Sequence, residues 1–153
     1  ELKRASLNLN EFRFMKNINS IDDFKKAIKK KSYWADSSAI HHLEEILNVK
    51  FIILSKDNYD KGNYNGIVMC GDMISETVLK RGVYKPKYYI ISTYSGNHYE
   101  LVTYKNKNIF SFYEIPYDIL LNIKRSCSTD NVSKKDKKTL FHYIPIFSSF
   151  LSA

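Results

Sequence analysis

The segment SGNHYELV, residues 95–102, sets a histidine directly behind a Ser-Gly-Asn turn and at the head of an apolar strand. Imidazole ordinarily titrates at about pH 6.5, so a ring held rigidly at such a point can take and return a proton near neutrality. Strand side chains alternate, which puts Glu100 on the same side as His98, where a carboxylate can orient the ring. The same placement equally suits a turn histidine at a wet sheet edge. A cysteine hydrolase would need a thiolate beside that base, best held at a helix N-terminus where backbone amides stabilise it and form an oxyanion hole. Cys70, in VMCGDMISE, stands just before a possible helix start with Gly71 allowing close approach, and is the candidate nucleophile within the chain. Cys127 follows a helix end, where the dipole disfavours a thiolate, and reads as a small core residue. The two cysteines lack metal-ligand spacing, so free thiols in a reducing compartment are expected, with no metal and no cofactor. His41 and His42 read as surface histidines.

The elements that must position these groups are legible from periodicity. Leu2, Ala5, Leu9 and Phe12 recur at helical steps. NSIDDFKKAIKKK offers a capping box, Ser20 ahead of Asp23, and a solvated lysine face. In YWADSSAIHHLEEILNVKFIILS, Asp36 can cap a helix whose apolar arc is Ala39, Ile40, Leu43, Ile46 and Leu47, and a buried strand follows over 51–54. A loop rich in Asn, Asp and Gly leads to a short strand at 67–69 and a helix over 73–80 capped by Asp72. Strands over 87–94 and 98–104 flank the turn at residues 95–97, and KNKN turns the chain into a third strand over 109–113. Pro116 suits the first turn of a helix that carries Ile119, Leu120, Ile123 and Cys127 inward. The sum is α+β, with N-terminal helices packed on a small, mostly antiparallel sheet.

At 153 residues the chain affords one main core, expected over 1–125, with a basic linker over 126–139 and an apolar tail over 140–153 that docks back. No apolar run approaches the roughly 20 residues of a membrane span. The net charge of +8 rests on lysine, with only Arg4, Arg13, Arg81 and Arg125 among 24 basic residues. Phosphate recognition favours the guanidinium fork, so solvated lysines are expected in place of a nucleic-acid surface. The first residue is Glu, not Met, and material upstream is expected.

Two stretches together, YWADSSAIHHLEEILNVKFIIL and YYIISTYSGNHYELV, resemble the second half of OTU (ovarian tumour) cysteine proteases, in particular the OTU-like domains of large nucleocytoplasmic DNA viruses. The family opens the helix before its central strand with a Tyr-Trp-Gly/Ala-Asp segment, matched at Trp34 and Asp36, and carries its catalytic histidine in a His-Tyr or His-Trp pair, matched at His98 and Tyr99. The resemblance covers residues 14–123. It implies a papain-like fold and hydrolysis of ubiquitin or ubiquitin-like isopeptide bonds, with His98 as base, Glu100 orienting it, and Asn97 and Tyr99 touching the substrate. The family's Asp-Gly-Asn-Cys box has no counterpart among these residues. The nucleophile is therefore expected from an upstream segment or a second chain, in the host cytoplasm or the virion. The competing reading is an OTU-derived binding or virion structural module without chemistry.

Overall fold

The computed structural model describes residues 19–30, 37–70, 74–96, 98–128 and 138–153. Trp34, Asp36, Asp72, Asn97 and the helix expected over 2–12 lie outside the described residues. The chain divides into two compact units, residues 1–35 and 36–153.

In the first unit, α1 (Ile21–Ile28) begins at Ser20, whose hydroxyl accepts from the Asp23 amide at 3.1 Å. The Asp23 carboxylate accepts in return from the Asn19 amide at 3.3 Å. Two amides at the helix start, which the helix itself leaves unpaired, are thereby satisfied. Lys25, Lys26, Lys29 and Lys30 are exposed, as a solvated lysine face requires.

The second unit opens with α2 (Ser37–Leu47) and β1 (Val49–Ser55), joined by Asn48 at φ 54°, a left-handed position that asparagine tolerates better than most residues. The buried side of α2 corrects the expected apolar arc. His41 and Glu44 are buried, while Leu43, Ile46 and Leu47 are exposed. Polar groups can occupy a buried helix face when they find partners: Glu44 pairs with Lys50, and His41 accepts a hydrogen bond through Nε2.

After β1 come α3 (Lys56–Asp60), a 3-10 turn at Tyr64–Gly66, β2 (Val68–Met69) and α4 (Glu76–Arg81). Ser75, not Asp72, caps α4: its hydroxyl accepts from the Val78 amide at 3.2 Å. Gly82 ends the helix at φ 67°. Strands β3 (Tyr88–Ser95) and β4 (His98–Leu101) complete a four-stranded sheet in the order β2-β1-β3-β4. The sheet is mixed. Its longest pairing, Val49 to Ser55 against Tyr88 to Ser95, is parallel, and both flanking pairs are antiparallel.

Lys105 and Asn106, both at positive φ, turn the chain back between Tyr104 and Lys107. The third strand expected over 109–113 reduces to one bridge, Phe110 to Tyr89. Ser111 and Glu114 form a capping box immediately afterwards, and the resulting 3-10 turn (Phe112–Glu114) lifts the chain off the sheet. The Glu114 carboxyl is held down to about 2 by its hydrogen bonds from Lys107 and Ser111.

Pro116 caps α5 (Tyr117–Cys127), whose buried residues Leu120, Ile123 and Cys127 follow the helical period. Residues 126–128 finish this helix and its cap, so the linker expected over 126–139 does not begin there. Then α6 (Leu140–Tyr143) and α7 (Pro145–Ser152) send Leu140, Phe141, Ile144 and Phe147 into the same core as Ile52, Ile91, Phe110 and Ile123. No helix among the described residues is long and apolar enough to cross a membrane.

Candidate functional site

His98 is the first residue of β4 and pairs directly with Ser95, with Gly96 in the turn that follows β3. Gly96 sits at φ 54°, the left-handed geometry that such hairpin turns demand. The far side of the turn is tied down. Ser95 Oγ donates to Asp57 Oδ1 at 3.1 Å, and Asp57 lies in the first turn of α3, itself capped by the Ser55 hydroxyl. The sequence alone does not single out Asp57, because 38 residues separate it from its partner.

Cross-strand partners share a face, so the register puts His98 with Ser95, and Glu100 with Thr93, on the side of the sheet that carries Ile91 and Ile52. His98 and Glu100 are both exposed there. Alternation turns Tyr99 to the opposite face, where its ring lies 4.8 Å from that of its partner Tyr94. Tyr99 and the imidazole therefore lie on opposite faces of the sheet. Trp34, Asp36 and Asn97, the other residues of the matched segments, lie outside the described residues.

The cysteines behave differently from the reading as free thiols. Cys70 and Cys127, 57 residues apart, are joined in a disulfide with their Cα atoms 5.6 Å apart. The fold explains the meeting. Val68 in β2 donates its amide to Ser126 Oγ at 3.2 Å, which lays β2 against the last turn of α5 and brings Cys70, just after β2, to Cys127. A loop of this length is worth roughly 4 kcal/mol by chain entropy. In this state Cys70 has no thiolate to offer and is not a nucleophile.

A second polar cluster went unseen in the sequence because it sits on the helix face expected to be solvated. Lys50 Nζ lies 3.0 Å from Glu44 Oε2, with both side chains buried, and donates to the Phe51 carbonyl at 2.7 Å. The ammonium also stands 4.7 Å from the centre of the Phe141 ring. Glu44 Oε2 accepts in addition from the Phe51 amide at 3.4 Å. The Tyr84 hydroxyl reaches the carbonyls of Val49 at 2.6 Å and Glu44 at 2.9 Å, sharing one proton between them. Burial raises the Tyr84 phenol well above its ordinary value, and the nearby Glu44 adds to the rise.

His41 is 7% exposed, and its Nε2 accepts from the Ser75 amide at 3.2 Å. An accepting Nε2 makes the neutral ring carry its proton on Nδ1, which finds no partner among the described residues. Glu45 Oε1 stands 3.7 Å from Nε2 and can pair with it only after the ring gains a second proton. Burial pushes the His41 pKa down, and Glu44 and Glu45 only partly oppose it. The reading of His41 as a surface histidine is thus corrected. The cluster lies within packed structure and pins the corner between α2 and β1.

Among the described residues no group of three or more His, Cys, Asp or Glu is placed to hold a metal ion. Comparisons of this chain with models of known families, with curated proteins and with solved structures return no match.

Proposed function

We propose that this chain is the histidine-bearing part of an OTU-like cysteine-type deubiquitinase of the viral kind. The thiolate comes from outside these residues, from a preceding segment or a second chain. The observation that carries the reading is His98, exposed at the first residue of β4 and paired with Ser95, which Asp57 fastens. The resemblance implies a helix leading into a central strand and, later, a histidine pair, and α2, β1 and the hairpin that bears His98 follow in that order. The disulfide supports an external thiol, since it occupies both cysteines of the chain.

In this mechanism His98 takes the proton of the incoming cysteine, and the thiolate attacks the carbonyl carbon of the terminal ubiquitin glycine. The tetrahedral adduct expels the lysine amine, which leaves with the proton from His98. Water then attacks the thioester with His98 again as base, releasing ubiquitin and the cysteine. Glu100, on the same face two residues on, orients the ring.

The test uses ubiquitin bearing a C-terminal electrophile. The 153-residue chain alone should not react, whereas a chain extended upstream to include an Asp-x-x-Cys segment should label on that cysteine. His98→Ala in the extended chain should slow labelling by about 10²–10⁴-fold. Labelling of Cys70, or labelling indifferent to His98→Ala, overturns the assignment. One observation favours a second reading, an OTU-derived binding or virion module: an oxidised cysteine pair suits a virion better than a reducing cytoplasm. That module would bind its partner reversibly and label in neither form.

A further inference from the structure

The two sulfurs of the Cys70–Cys127 bond stand in unequal surroundings. Cys127, 2% exposed, ends the buried stripe of α5, packed in the same core as Leu120, Ile123 and Ile144. The C-terminal end of a helix dipole adds negative potential at that point, which opposes a thiolate. Of the basic residues in that last turn, Lys124 holds its ammonium 5.4 Å from the centre of the Phe150 ring, and Arg125 is exposed. Cys70 follows the end of β2 and is only partly buried.

We propose that the bond is a lock, made by exchange with a disulfide donor before the corner between β2 and α5 closes, and shut to external thiols once the chain is folded. In its formation the Cys70 thiolate attacks the donor R–S–S–R and releases RS⁻, leaving Cys70 in a mixed disulfide. The Cys127 thiolate then attacks Cys70 Sγ and releases the second RS⁻. The two protons given up by the cysteines end on the two RSH formed, so the chain is oxidised by two electrons and the donor reduced by two.

The reverse reaction fails in the folded chain for a geometric reason. Of the two residues only Cys70 keeps any exposure, and a thiolate attacking on that side must expel Cys127 as a thiolate into an apolar site, where it is a poor leaving group. Attack on Cys127 is blocked by burial. Reduction must therefore pass through opening of the fold. This inference goes beyond the proposed activity, and its test involves no ubiquitin.

The chain, reduced in denaturant, refolded with glutathione disulfide present and then denatured without reductant, should take up no alkylating reagent. After reduction in denaturant it should take up two equivalents. With reduced glutathione, thiols should appear in the folded chain at least about 100-fold more slowly than in denaturant, and urea below the transition should speed their appearance in step with unfolding. Cys70→Ser/Cys127→Ser should melt about 10 °C below the oxidised chain, with no further response to thiols. Two alkylated thiols without reductant, reduction of the folded chain as fast as in denaturant, or a double variant that melts with the oxidised chain would each overturn the lock.

Discussion

His41 is a neutral ring in the folded chain because its Nε2 accepts the Ser75 amide and its surroundings are dry. Among the described residues, the charged and titratable groups that act on it are Glu44, Glu45 and His42 on its own helix and Lys50 on β1. Above the ordinary histidine value of about 6.5 the ring is neutral in both folded and unfolded chains, and its contribution to stability is complete. As the pH falls, the unfolded chain takes up a proton that the buried ring refuses, and stability declines until the folded ring also titrates. His142, lowered by burial beside Thr139, acts in the same direction. The chain should therefore unfold in less urea at pH 5 than at pH 7.5, and His41→Gln should shrink that difference while His142→Gln removes a separate part. An undiminished difference in His41→Gln would remove this account. His98 and its turn could be read locally, since a turn residue and its neighbours are adjacent in sequence. His41, Glu44 and Lys50 could not, because their burial depends on Ser75, Tyr84 and Phe141, which arrive from 34 to 91 positions away.

The same division governs the elements. Strands β3 and β4 and helix α5 were legible because their periods and punctuation are local: Gly96 between two strands, Pro116 before an apolar stripe. The parallel pairing of β1 with β3 was not, since neither strand carries a mark of which neighbour it will take. The β3-β4 turn permits a sharp check on how the hairpin is set. A Cβ placed on Gly96 meets nothing within 4 Å, so any cost of a side chain there is conformational and not steric crowding. Gly96→Ala should lose about 1 kcal/mol by urea denaturation, and Gly96→Asn should recover most of it because asparagine enters the left-handed region more readily. Equal stability of Gly96→Ala and the parent chain would mean that the turn adopts another geometry.

For the second unit as a whole, the sheet is closed by what comes last in the chain. Phe147 in α7 is fully buried, with its ring 5.0 Å from Phe112, 5.0 Å from Phe141 and 5.6 Å from Tyr89. Tyr89 is the second residue of β3, Phe112 follows the bridge to it, and Phe141 lies under the Lys50 ammonium. One ring thus joins the C-terminal helices to the strand that runs to the His98 hairpin and to the helix-strand corner that buries Glu44. The burial of the Tyr89 phenol, whose pKa is pushed up to about 12, belongs to the same packing. Phe147→Ala removes the centre of this aromatic pile and should cost about 3–5 kcal/mol. Phe150→Ala, at a partly buried position on the same helix, should cost less. Urea denaturation followed by tryptophan-independent far-ultraviolet dichroism measures both. If the residues after 139 were an accessory tail, Phe147→Ala would leave the unfolding midpoint of the sheet unchanged. A coincident loss of helix and sheet signal at lower urea is the outcome that a single shared core requires.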